Sequence, residues 1–119
     1  MKKIIVVDDD PAILEVIKII LEENDYDVRT SSNSGFINNI DNDLPDLILL
    51  DVLLSGEDGR IITKKLKQGA KTKNIPVVMI SAHPSANTSV YEAGADDFIP
   101  KPFDIDYLLE VVDRNIASR

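Results

Sequence analysis

Cysteine is absent from this chain of 119 residues. That excludes a disulfide framework and a thiolate zinc site, and it fits a reducing compartment. Long apolar runs are missing too. The N-terminus, MKKIIVV, offers only four consecutive apolar residues before the acids begin. This is too short for the core of a signal peptide or for a membrane span, so a cytoplasmic domain without a membrane anchor is expected. A basic excess is also lacking: 13 Lys and Arg stand against 21 Asp and Glu, a net charge of −8. Such a surface repels a phosphate backbone, which argues against direct nucleic-acid binding. Cations, and proteins with a basic patch, are the partners it favours. No internal repeat, low-complexity segment or interdomain linker interrupts the chain. Residues 1–119 therefore read as one domain, long enough to bury its own core, with no output domain beside it.

What is present is an alternation of strand and helix, five times over. Lys3–Val7 (KIIVV) is nearly all apolar, as a strand covered on both faces should be. Pro11–Glu23 carries Ile13, Leu14, Ile17, Ile20 and Leu21 on one helical stripe. Tyr26–Thr30 alternates, which suits an edge strand, and Asn33–Ile40 is a weaker helix. Asp46–Leu50 is a second central strand. Asp58–Lys67 is a helix with Ile61, Ile62 and Leu66 inward, stopped by Gly69. Val77–Ile80 is a strand entered through Pro76, and a short helix near Asn87–Ala93 ends at Gly94. Asp97–Ile99 is a brief last strand. A final helix, Ile105–Ile116, has Asp104 as its N-cap. Repeated strand–helix units imply an α/β fold, a parallel sheet with helices on both faces. Five strands, the second polar and alternating, fit the doubly wound flavodoxin-like order 2-1-3-4-5. In that order ligands bind beyond the C-terminal strand ends, between strands one and three.

The residues just past those strand ends are chemically matched. The first strand runs into Asp8, Asp9 and Asp10; the third ends at Asp51, the fourth at Ser81, the fifth at Lys101. Each alone has a bland explanation as a solvated loop or turn residue; four strands ending this way together do not. Carboxylates gathered in one crevice bind protons or a cation. Oxygen donors without His or Cys favour a hard ion, and few protein donors favour Mg²⁺ over Ca²⁺. An aspartate can act as nucleophile toward a phosphoryl group, Mg²⁺ can neutralise the charge, and lysine can meet a phosphoryl oxygen. Asp10 is set apart from its neighbours. It precedes Pro11, so it sits where an N-cap belongs, with proline at the first helical position.

VVDDDPAIL (6–14), PDLILLDVLLSGEDG (45–59), PVVMISA (76–82) and EAGADDFIPKPF (92–103) together resemble the receiver domain of bacterial two-component response regulators, over essentially the whole chain. The resemblance implies that Asp51 is the phosphoacceptor. Asp9 and Asp51 would bind Mg²⁺ directly, with the backbone carbonyl of Leu53 as the third protein donor and Asp8 acting through water. Ser81 would move to meet the phosphoryl group, and Phe98 would turn inward with it. Lys101 would pair with the phosphoryl group, and with Asp51 before phosphorylation; its bond to Pro102 would be cis. Implied partners are a histidine kinase or phosphotransfer protein as donor, and a downstream protein target or output domain. A homodimer formed on phosphorylation is a further option common in the family.

Four positions depart from the family pattern. Ser55 stands where proline is usual, which loosens the loop after Asp51. Phe98 lacks the hydroxyl of the more common tyrosine. His83 lies close to where water would attack the phosphoryl group, although an exposed role is the plainer reading. The stretch from Ser81 to Gly94 is about two residues short and contains Pro84, which predicts a shortened or irregular fourth helix. Other functions fit less well. Asp8 and Asp10 form an Asp-x-Asp pair like that of haloacid dehalogenase-type phosphohydrolases, but Pro11 and Ala12 break the pattern and the chain is short for that enzyme. A receiver-like interaction module without phosphorylation would not need the full acid and lysine set. Flavin phosphate would meet the wrong charge in the loop after the first strand.

Overall fold

Leucine and β-branched side chains alternate to opposite sides of an extended backbone, so a wholly apolar run demands cover on both faces. The structure, a computed structural model, describes residues 1–83 and 86–117. Its strands are β1 (Lys3–Val7), β2 (Asp27–Ser31), β3 (Leu47–Asp51), the two-residue β4 (Leu53–Leu54) and β5 (Glu57–Asp58), β6 (Val77–Ser81) and β7 (Asp97–Pro100). The helices are α1 (Pro11–Glu22), α2 (Gly59–Gln68), α3 (Ala86–Glu92) and α4 (Ile105–Ala117), with a 3-10 segment at Ser34–Asn42. The main sheet is parallel and ordered β2-β1-β3-β6-β7, the doubly wound arrangement expected of the five principal strands.

Alternation divides the core in two. Ile4, Val6, Leu47, Leu49, Val78 and Ile80 face α1 and α4, where Ile17, Leu21, Leu108 and Val112 meet them. Ile5, Val7, Ile48, Leu50, Val77 and Met79 face the other way, against Ile40, Ile62, Leu66 and Val90. Only Val28 of β2 is fully buried, as befits an edge strand.

The weaker helix expected after β2 is present and is of the 3-10 kind, over Ser34–Asn42. Gly35, Asn38, Asn39, Asp41 and Asn42 are poor helix formers, and the Asn and Asp side chains compete with the helical hydrogen bonds. Several local expectations need correction. Ile61 is exposed, not inward. The buried face of α2 runs through Gly59, Ile62, Thr63 and Leu66, a 3–4 spacing that leaves Ile61 off the stripe. Thr63 occupies the inner position by donating its hydroxyl to the Gly59 carbonyl at 2.9 Å. In α4, Ile105 is half exposed, and Leu108, Val111 and Val112 are buried. Gly69 does end α2, but with φ −76 rather than in the left-handed region. The short helix before Gly94 has seven residues and Gly94 takes φ +104; Pro84 lies outside the described residues.

Asp10 caps α1. Its carboxylate accepts from the Ala12 N–H at 2.9 Å and the Ile13 N–H at 3.5 Å, with Pro11 opening the helix. Asp10→Ala should therefore cost about 1 kcal/mol of stability in urea denaturation. It should leave Mg²⁺ affinity, followed by calorimetric titration, unchanged; a loss comparable to that of Asp9→Ala would assign Asp10 to the cation instead.

Candidate phosphoryl-transfer site

Parallel strands in this order bring the C-terminal ends of β1, β3, β6 and β7 to one edge, and their terminal residues meet there. Asp8 follows β1 and is 1 % exposed. Its backbone N–H is held by the Ser31 carbonyl at 3.1 Å. Its carboxylate accepts from the Asp10 N–H at 2.9 Å through Oδ1 and from Lys101 Nζ at 2.9 Å through Oδ2. Asp51 ends β3, is 7 % exposed, and has Oδ2 within 3.3 Å of Lys101 Nζ. The lysine thus stands between two buried acids. It reaches them from the cis Lys101–Pro102 peptide, and its own N–H is fixed by the Ser81 carbonyl at 2.9 Å.

These contacts set the ionisation of the site. Burial and then the Asp8 carboxylate push the Asp51 carboxyl above the usual range, with Lys101 and the Leu53 N–H offsetting only part. Burial pulls the Lys101 ammonium down, but Asp8 and Asp51 outweigh it and hold the group above its ordinary value. Asp9 lies more openly. The Ser55 hydroxyl, donating to Asp9 Oδ2 at 2.5 Å, holds that carboxyl below the usual range; burial opposes it, and the Ser55 and Asp9 backbone N–H groups and Lys101 add to it.

Asp8, Asp9 and Asp51 each offer a carboxylate oxygen, and the three atoms lie within 4.8 Å of one another. Asp10 is not part of this group; its carboxylate is turned to α1. The donors are all oxygen and all anionic, which suits a hard divalent cation such as Mg²⁺. One lysine among three acids leaves negative charge for a cation to balance. Leu53, placed at the start of β4, is exposed. Ser81 ends β6 and is buried; among the described residues its Oγ accepts from the His83 N–H at 3.0 Å. Contacts therefore join Asp8, Asp51 and Lys101, whereas Asp9 joins them by proximity and Ser81 by its place on the neighbouring strand. Phe98 lies beside Met79 in the β6–β7 register and packs partly buried on the face of α2 and α3.

Two site features were not anticipated. The first is the Ser55–Asp9 bond, which replaces the loosening expected at that position with a tether. The second is Gly59. A Cβ there would lie 2.3 Å from the Asp51 carbonyl and 3.1 Å from Val52 Cα, so only glycine lets α2 start against the end of β3. Its N–H donates to the Val52 carbonyl at 2.7 Å, which seats the helix there.

Residues 4–113 match the response regulator receiver domain family. Over 112 residues the chain is 36% identical to the DNA-binding dual master transcriptional regulator RpaA of Synechocystis sp., covering 92% of this chain and 46% of that protein. It is 39% identical over 105 residues to the phosphate regulon transcriptional regulatory protein PhoB of Escherichia coli, covering 86% of this chain and 46% of that protein. The chain thus spans about half the length of these relatives. Among solved structures, the receiver domain of NtrX from Brucella abortus superposes with a TM-score of 0.90 at 33% identity, over 98% of this chain and 99% of that one. The signal receiver domain of a signal transduction histidine kinase from Syntrophus aciditrophicus does so with a TM-score of 0.91 at 32% identity, over 99% and 92%. No helix among the described residues is long and apolar enough to cross a membrane.

Proposed function

This chain belongs to the response regulator receiver domain family of two-component signalling, and from that premise we propose that Asp51 is the residue that takes the phosphoryl group. A carboxylate oxygen of Asp51 attacks the phosphorus of a phosphohistidine on a histidine kinase or phosphotransfer protein. The new O–P bond forms as the P–N bond breaks, and the imidazole nitrogen leaves with the electron pair. The product is an aspartyl phosphate, which water later hydrolyses back to carboxylate and phosphate. The domain promotes both steps on itself and turns over no external metabolite.

The observation that carries this reading is the setting of Asp51. It ends the central strand, buried, with the Lys101 ammonium 3.3 Å away and shared with Asp8. That ammonium keeps the nucleophile oriented and is placed to take up the charge of a phosphoryl oxygen after transfer. Ser81, on the adjacent strand, would donate its hydroxyl to a second phosphoryl oxygen, and Phe98 on β7 would turn further inward as Ser81 moves. The oxygen-only donor set of Asp8, Asp9 and Asp51 fits Mg²⁺; Asp9, Asp51 and the Leu53 carbonyl would hold it directly and Asp8 would act through water. Bound there, Mg²⁺ neutralises charge on the carboxylates and on the incoming group.

The downstream reader is a protein surface or an output domain; one similar protein is described as DNA-binding, which suggests transcription as one output. The net charge of −8 keeps this domain itself off nucleic acid. Residues 1–119 would act as a single receiver unit in the cytoplasm. Incubation with Mg²⁺ and a small-molecule phosphodonor, followed by peptide mass spectrometry, should locate one acid-stable, base-labile phosphoryl adduct on Asp51. An adduct on Asp8, or steady phosphate release from an organic phosphate, would defeat the assignment.

A further inference from the structure

Asp9 is gripped from across the crevice. Ser55 lies in the two-residue turn between β4 and β5, and its hydroxyl reaches Asp9 Oδ2 at 2.5 Å. The turn is built to keep it there. Gly56 takes φ +74, a left-handed conformation that glycine adopts freely. Leu53 pairs with Asp58 and Leu54 with Glu57 on either side. Beyond the turn, Glu57 accepts from the Ser34 N–H at 3.0 Å and also from the Ser34 hydroxyl, anchoring the hairpin to the 3-10 segment. Gly59 N–H anchors its base to Val52. Ser55 is thus a fixed donor, not the tip of a loose loop.

Resting on the reading of Asp9 as a cation ligand, we propose that Ser55 is a positioning residue that holds Asp9 Oδ2 and so presents Oδ1 to the cation. Mg²⁺ demands near-ideal geometry from its ligands and is served by single oxygens of one or two carboxylates. A carboxylate with one oxygen already tied has less freedom to lose when the other binds. Asp9 is the most open of the three acids, so it gains most from such a tether; Asp8 and Asp51 are already held by burial and Lys101. Outer partners that orient ligands in this way commonly govern affinity by 10- to 100-fold. Ser55 does so from a position contributed by the loop after Asp51, so the strand that carries the nucleophile also sets the ligand opposite it.

The experiment is calorimetric titration of Mg²⁺ into the wild type, Ser55→Ala, Ser55→Thr and Asp9→Asn. Ser55→Ala is expected to weaken Mg²⁺ binding about tenfold, with an unchanged melting temperature in EDTA because Ser55 is exposed. Ser55→Thr keeps the hydroxyl and should restore wild-type affinity, which a purely steric role would not do. Asp9→Asn should weaken binding more than Ser55→Ala does. Wild-type or tighter binding by Ser55→Ala, or failure of threonine to rescue it, overturns the positioning role while leaving the Asp9 assignment standing if Asp9→Asn still loses Mg²⁺. Undiminished binding by Asp9→Asn overturns that assignment and the inference with it.

Discussion

Asp51→Asn should abolish phosphorylation and, in the metal-free protein, raise the melting temperature. The loss follows if Asp51 is the nucleophile, as proposed. The gain follows from the charges around it. Asp8 and Asp51 are both buried and share a single ammonium, so the ionised site holds one negative charge too many. Burial first, and then Asp8, hold the Asp51 carboxyl above its ordinary range. The sign is that of a raised carboxyl. The stability it contributes is complete below the unfolded value of about 3.9 and is lost as pH rises through the folded value. Once the pH exceeds the folded value, the ionised Asp51 therefore weakens the fold. Asparagine is nearly the same size, removes the excess charge, and leaves Lys101 paired with Asp8 at 2.9 Å. A gain of about 1–2 kcal/mol is expected, in the range of substitutions that relieve a functional site. That is roughly 4–8 °C for a domain of this size. Melting curves in EDTA should show the difference at about pH 7 and lose it as the pH is lowered and the wild-type carboxyl takes its proton. Mg²⁺ should narrow it too, by stabilising the wild type more than the variant. A variant that melts at or below the wild type at neutral pH would mean that Asp8, Asp51 and Lys101 are already balanced.

The parts of this arrangement that could be read in the chain are those that depend on pattern. Ile4–Val7, Leu47–Leu50 and Val77–Ile80 are apolar without alternation, so they had to be strands covered on both faces. Once they are parallel and in this order, Asp8, Asp51, Ser81 and Lys101 must share one edge. Asp10 could be separated from Asp8 and Asp9 because Pro11 marks a helix start. What could not be read depends on local competition or on long-range contact. The spacing of Phe36, Ile37 and Ile40 permits either kind of helix; the intervening Gly and Asn residues favour the 3-10 form. The β4–β5 hairpin has two residues per strand, too few to show a period. The Ser55–Asp9 bond spans 46 positions and depends on that hairpin, so nothing near Ser55 announces it. Gly59 reads as an ordinary residue at a helix start until the Asp51 carbonyl is placed 2.3 Å from its missing Cβ.

Lys101→Met tests the same charges from the other side. It keeps the length of the stem and removes the ammonium, leaving Asp8 and Asp51 to face each other without a cation. Breaking a fully buried pair costs about 3–5 kcal/mol; here the lysine side chain is 16 % exposed, and about 2–3 kcal/mol is expected at neutral pH in EDTA. Lys101 itself has a raised value, so its contribution is complete below its unfolded value near 10.4 and is lost only as pH rises through the folded one. The wild type keeps it across the neutral range. The variant's deficit should instead shrink as pH falls and Asp51 protonates, and shrink again when Mg²⁺ replaces the missing positive charge. Combining Lys101→Met with Asp51→Asn should cost less than Lys101→Met alone, because one buried carboxylate remains and its Oδ1 still accepts from the Asp10 N–H. Urea denaturation of the single and double variants at several pH values, with and without Mg²⁺, measures all three effects. A deficit that ignores pH, Mg²⁺ and the asparagine would place the contribution of Lys101 in the packing of its stem, not in the charge that it sets between the two acids.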